Sequence, residues 1–268
     1  VLLHFYNLYN YFIYIVYMPK ILKVIDKSDN NVINMGMLPN VRFFGLLVGK
    51  TGCSKTTLLI NLLLNPDFGY DKIFKGENIY IFSGSLDSDE KVQKLIEVKD
   101  IPEENLYNEA DDDELNALYD KLESQYMERR DLDQNTEYPL IILDDLSFSG
   151  SFHGKKFNAL VRFAQNSRKL AISVLVTTQY YSQILPSIRS NLSFAILYQC
   201  SQKNLDNICD EHNFYPKRTM FIKMFRDNVK SKRDFLVVNY DNDKEEIYLD
   251  KDFEVINNST TIPEKSSQ

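Results

Sequence analysis

The chain has 268 residues, room for one large domain or two small ones with a substantial core. Its 44% hydrophobic and 26% charged residues are those of an ordinary soluble globular protein rather than a fibrous or low-complexity chain. A formal net charge of −7 excludes a global basic field that would draw nucleic acid to the whole surface, leaving only local basic loops for such a partner.

The chain opens on "VLLHFYNLYNYFIYIVY", which is apolar and aromatic, lacks the basic start and cleavage site of a signal peptide, and is slightly short for a membrane span. Residues 1–17 read as translated upstream sequence with Met18 as the true start; a membrane anchor is the rival reading, and no stable membrane insertion is expected. "ILKVIDK" and "NVINM" flank a turn at 28–31 and predict a small hairpin. "VRFFGLLVG" is a continuous apolar run ending in glycine, as a buried parallel strand requires, and residues 56–64 follow as a helix stopped before Pro66. "NIYIFSG" predicts a second buried strand. Residues 88–128 read as an acidic helical stretch in an insertion over about 88–137, and the run 111–114 as a solvated insertion or helix start. "YPLIILDD" predicts a third strand, "KKFNALVRFAQNSRK" a helix, "LAISVLVTTQ" a fourth strand and "SNLSFAILYQ" a fifth. Helices follow at 202–213 and 217–225, then a hairpin across 241–243, and residues 257–268 read as a disordered tail. Cys53, Cys200 and Cys209 form no C-x-x-C pair, which argues against zinc or disulfides and for a reducing compartment. His4, His153 and His212 form no ligand pair and are expected on the surface or in loops.

Strands alternating with helices predict an α/β fold, a mostly parallel sheet flanked by helices with short hairpins at both ends, in one domain over 18–256. Ligands of such sheets bind beyond the carboxyl ends of the strands. Three candidate elements fall there. "GKTGCSKTT" (Gly49, Lys50, Thr51, Gly52, Cys53, Ser54, Lys55, Thr56, Thr57) is a phosphate-binding loop with one departure, Ser54 in place of the second glycine. Its backbone amides and helix start would cradle phosphates, Lys55 would reach the β- and γ-phosphates, and the Thr56 hydroxyl would ligate Mg²⁺. If position 54 needs a positive φ, the serine costs about 1–2 kcal/mol, a tolerable strain because Gly52 can still supply one permissive backbone position. Asp144 is placed to hold Mg²⁺ and Asp145 to polarise an attacking water, while Gln179 could bond both the γ-phosphate and that water.

The order GKTGCSKT, LIILDD, SRKLAISVLVTTQ and LPSIRSN resembles the genome-packaging ATPases of large DNA viruses and virophages, poxvirus-type members of the FtsK–HerA superfamily, over residues 41–199. The resemblance implies a P-loop NTPase with a RecA-like, additional-strand core, and ATP with Mg²⁺ as cofactors. It also implies a homo-oligomeric ring on double-stranded DNA, viral capsid proteins as partners, and work in the host-cell cytoplasm, viral factory or virion. By resemblance Gly49, Gly52, Lys55 and Thr56 bind nucleotide, Asp144 holds the metal, Asp145 activates water and Gln179 is the sensor. Arg168 matches an arginine that reaches a neighbour's nucleotide, and Arg189 is a second candidate. Lys169 departs from the family, which often has histidine there. "HGKK" (153–156) and "VKSKR" (229–233) are candidate DNA contacts, with a solvated loop as the alternative for each.

The function implied is an ATP-driven motor that moves double-stranded DNA into a preformed capsid. A nucleotide-binding assembly or capsid-docking protein, its hydrolysis spoiled by Ser54, is one alternative. A small-molecule kinase is another, disfavoured because kinase lids supply arginines whereas the insertion is acidic apart from Arg129 and Arg130.

Overall fold

The computed structural model describes residues 33–132, 134–145 and 158–256. Residues 1–17, most of the expected first hairpin, the "HGKK" loop and the tail lie outside them; residues 33–35, the end of that hairpin, carry no strand.

The long apolar runs become strands because only a sheet covered on both faces buries every residue of such a run. β1 (Phe44–Val48), β2 (Ile79–Ser83), β4 (Leu140–Asp144), β5 (Ser173–Thr178) and β6 (Phe194–Tyr198) are buried at every position. β3 (Leu106–Tyr107), β7 (Phe235–Asn239) and β8 (Tyr248–Leu249) complete a sheet in the order β3-β2-β4-β5-β1-β6-β7-β8. β1 to β6 pair in parallel, and β7 and β8 add antiparallel strands at one edge. β7 and β8 are the expected final hairpin.

The side chains of each strand alternate between two cores. On one face Leu47, Ile81, Ile142 and Leu175 pack against α1 (Lys55–Leu64) and α2 (Glu90–Lys99). On the other, Leu46, Phe82, Leu143 and Val176 meet α3 (Asp112–Asp131), α4 (Asn158–Asn166), α6 (Gln202–His212) and α7 (Arg218–Asn228). A short α5 (Pro186–Arg189) lies between β5 and β6.

The acidic run is a helix start. Asp111 caps α3 by accepting from the Asp113 and Glu114 amides, acids fill the first turn, and Arg129 and Arg130 occupy the last, each complementing the helix dipole. Leu115, Leu118, Tyr119 and Leu122 turn one face inward, where Tyr119 meets Phe163 of α4 edge to face at 5.1 Å. The insertion is not wholly helical as expected: it also contributes β3, whose two residues are too few to show alternation.

Candidate nucleotide site

The turn from β1 into α1 forms the floor of the site. The Gly49 amide donates to the Thr178 carbonyl at 3.1 Å, so the loop starts as a continuation of the β1–β5 ladder. Gly49 has no room for a side chain: a β-carbon there would lie 2.5 Å from Cys53 Sγ and 2.7 Å from Tyr198 Cβ. The Lys55 side chain is buried along the loop, and its Nζ donates to the Gly49 carbonyl at 2.6 Å. Gly52 and Ser54 both adopt the left-handed region, with φ of 76° and 81°. The serine therefore carries the strain that its position implied, and its hydroxyl makes no capping bond to α1.

The two acids at the end of β4 are positioned by the strand beside them. Thr177 Oγ1 on β5 donates to Asp144 Oδ1 at 2.7 Å and accepts from the Asp145 amide at 2.9 Å. Burial pushes the Asp144 carboxyl above its ordinary range, against the Thr177 hydrogen bond and the Lys55 charge, which favour the ionised form. Asp145 takes a positive φ of 47°, and Gln179 Nε2 reaches its two carboxylate oxygens at 3.4 and 3.2 Å. Lys55, Asp144, Asp145 and Gln179 thus meet at the carboxyl ends of β1, β4 and β5. Thr177 was not among the sequence candidates, since a threonine inside a buried strand carries no distinguishing pattern.

The donor set suits Mg²⁺. One buried carboxylate beside a phosphate loop and a threonine hydroxyl matches an ion held by few protein ligands, with phosphates and water completing its shell. Among the described residues no group of three His, Cys, Asp or Glu forms an all-protein metal cage, and no helix is long and apolar enough to cross a membrane. The three cysteines are free thiols.

The arginine candidates lie apart from this site, at the amino ends of the parallel strands. Arg168 Nη2 pairs with Asp241 at 3.0 Å and donates to Ser193 Oγ at 3.2 Å, with its side chain 58% exposed. Arg189 is 11% exposed, pairs with Glu211 at 2.8 Å and stacks on the Tyr181 ring at 4.7 Å. Both line one cleft of about 680 Å³ with Glu211, His212 and Tyr240.

His212 is buried, a correction to the expected surface position, because two tyrosines satisfy its ring. Tyr181 donates its only proton to Glu211 at 2.5 Å, so it accepts from His212 Nε2 at 2.7 Å; Nδ1 then accepts from Tyr240. Burial, reinforced by the Arg189 charge, holds the imidazole neutral with a pKa of about 3.

A strand inserted between the phosphate-loop strand and the acidic strand, with a polar side chain at its tip, defines a P-loop ATPase of the additional-strand class. The family model of the Poxvirus A32 protein matches residues 33–262. The chain belongs to that family, the DNA-packaging ATPases of the resemblance. Among curated proteins none matches. Among solved structures, the genome packaging NTPase B204 from Sulfolobus turreted icosahedral virus 2 in complex with AMP is 17% identical, with TM-score 0.51 over 74% of this chain and 93% of its own. Its complex with AMPPCP gives TM-score 0.50 at 17% identity over the same 74% and 93%. B204 described as the DNA-packaging ATPase from Sulfolobus Turreted Icosahedral Virus gives TM-score 0.50 at 15% identity over 75% and 93%. At these identities the likeness is one of fold.

Replacing Ser54 by glycine removes the left-handed strain and is expected to raise the unfolding free energy by about 1 kcal/mol, with turnover unchanged or higher. Denaturant titration beside steady-state kinetics checks this; a collapse of turnover would instead reveal a role for the hydroxyl.

Proposed function

We propose that the chain is an ATP-hydrolysing motor that moves double-stranded DNA into a preformed viral capsid, acting as a homo-oligomeric ring that docks on capsid proteins. The observation that carries it is the meeting of Lys55, Asp144, Asp145 and Gln179 at one edge of an additional-strand sheet in a member of the Poxvirus A32 family. ATP is the nucleotide proposed, in keeping with the B204 complexes of related fold.

In this reading the loop amides, Lys55 and Thr56 bind the phosphates, and Thr56 and Asp144 would hold Mg²⁺. Bound there with the nucleotide, Mg²⁺ neutralises phosphate charge. Thr177 aims Asp144 and favours its ionised form against burial, Asp145 takes the proton of the attacking water, and Gln179 orients that water while steadying Asp145. Arg168 is proposed to complete the site of the neighbouring subunit, since its position at the far end of the sheet keeps it from its own loop. Its guanidinium is far more exposed than that of Arg189, although each would have to leave a carboxylate, Asp241 for Arg168 and Glu211 for Arg189. The work is proposed to take place in the host-cell cytoplasm or viral factory.

The kinase alternative finds less support. Arg129 pairs with Glu137 at 2.5 Å and Arg130 with Asp131 at 3.1 Å, so both arginines of the insertion have carboxylate partners within it. The assembly-protein alternative shares the nucleotide site and is separated by turnover.

Asp145→Asn keeps the side-chain shape and suits a left-handed backbone, but loses the base. It is expected to bind ATP normally and to lose turnover by about 10²-fold or more, measured by calorimetry and steady-state kinetics. An equal loss of binding would make Asp145 a metal ligand. Arg168→Ala is expected to bind ATP but lose about 10³-fold in turnover, and to recover part of it when mixed with Lys55→Ala subunits. Arg189→Ala is the parallel case. No recovery in either mixture, with a protein that stays monomeric on ATP and DNA, would contradict the ring.

A further inference from the structure

The turn between α7 and β7 holds the basic run 229–233, considered above for DNA. The fold gives it a different neighbour. β7 is antiparallel to β6, so it starts where the parallel strands finish: Phe235 is in register with Tyr198, and their rings lie 5.3 Å apart. Tyr198 leans on the phosphate loop, its hydroxyl donating to the Ser54 carbonyl at 3.4 Å. The turn therefore sits beside that loop, and Lys232 at its tip reaches over it. A β-carbon on Gly52 would lie 2.9 Å from Lys232 Nζ.

The turn is braced from within. The Asp234 carboxylate accepts from the Ser231 amide at 2.7 Å and the Lys230 amide at 3.2 Å, while the Asp234 amide donates to the Ser231 carbonyl at 3.2 Å. The acid of the turn is thus spent on its backbone, and among the described residues Lys232 is ion-paired with no carboxylate. Cys53, on the floor of the loop, senses the charges of both Lys55 and Lys232, although burial dominates and pushes its thiol up.

We infer that Lys232 is a nucleotide-binding residue, a second cation supplied by the same chain to the phosphates held in the loop. The inference rests on the phosphate-loop reading. Loop amides at this position cradle the phosphates common to ATP and ADP, so Lys232 acts on both nucleotides and on affinity rather than on the chemical step. A lysine suits the task because a point charge on a flexible stem needs no fixed geometry. Its exposure makes the contact sensitive to salt.

The test is calorimetric titration of the full chain with ADP and with a non-hydrolysable ATP analogue, at low and high salt. Lys232→Ala is expected to weaken both by about tenfold at low salt and less at high salt, the scale of one charge-assisted hydrogen bond. KM for ATP rises with kcat unchanged, Lys232→Arg restores most of the loss, and Lys230→Ala, with the same change in net charge, has no effect. Lys55→Ala separates the two layers of the argument. If it abolishes binding while Lys232→Ala stays within about twofold of the parent, only this inference fails. If Lys55→Ala also binds normally, the phosphate-loop reading fails with it. Loss of double-stranded DNA affinity in Lys232→Ala, with nucleotide affinity intact, would return the turn to DNA and overturn the inference.

Discussion

The site depends on one hydroxyl. Thr177 Oγ1 donates a hydrogen bond to Asp144 and accepts one from the Asp145 amide, so one side chain holds both acids at the end of β4. It can do so because β5 runs between β1 and β4. Neighbouring strands are about 4.8 Å apart, so the inserted strand separates the phosphate loop from the acids by about 10 Å. The same strand then delivers Gln179 to the rim, where it holds Asp145 from the other side.

The two ends of the sheet are built differently. At the carboxyl edge, strain and burial accumulate: a left-handed serine in the phosphate loop, a left-handed Asp145, and a carboxyl raised by burial. Such features persist only where the surrounding structure holds them, and here the β1–β5 ladder and Thr177 do so. At the amino edge, Arg189, Glu211, Tyr181, His212 and Tyr240 form a hydrogen-bonded network with the imidazole held neutral, although Arg189 Nε is buried in it without a hydrogen-bond partner. Arg168 stands at the rim of the same cleft with more of its charge exposed. One edge gathers the loop lysine, the two acids and Gln179, and the other carries Arg168 and Arg189.

Much of this was legible in the sequence, for a physical reason. Strands buried on both faces must be continuous apolar runs, so β1, β2, β4, β5 and β6 stood out, and with them the loop, the acids and Gln179 at their ends. What was not legible depends on which strands are neighbours. Thr177 matters only because β5 lies beside β4, and Lys232 only because β7 returns antiparallel to end near a loop 180 residues earlier in the chain (232 − 52). His212 was misplaced because a lone histidine carries no sign of the tyrosines that bury it. Strand β3 was missed because two residues hold no period.

The central claim is that this site spends ATP on DNA. Steady-state ATP turnover by the full chain, with and without double-stranded DNA, tests it most directly. The account predicts hydrolysis that exceeds the Lys55→Ala background and rises when double-stranded DNA is added. Tight nucleotide binding with turnover at that background, with or without DNA, would contradict it and leave an assembly protein in its place.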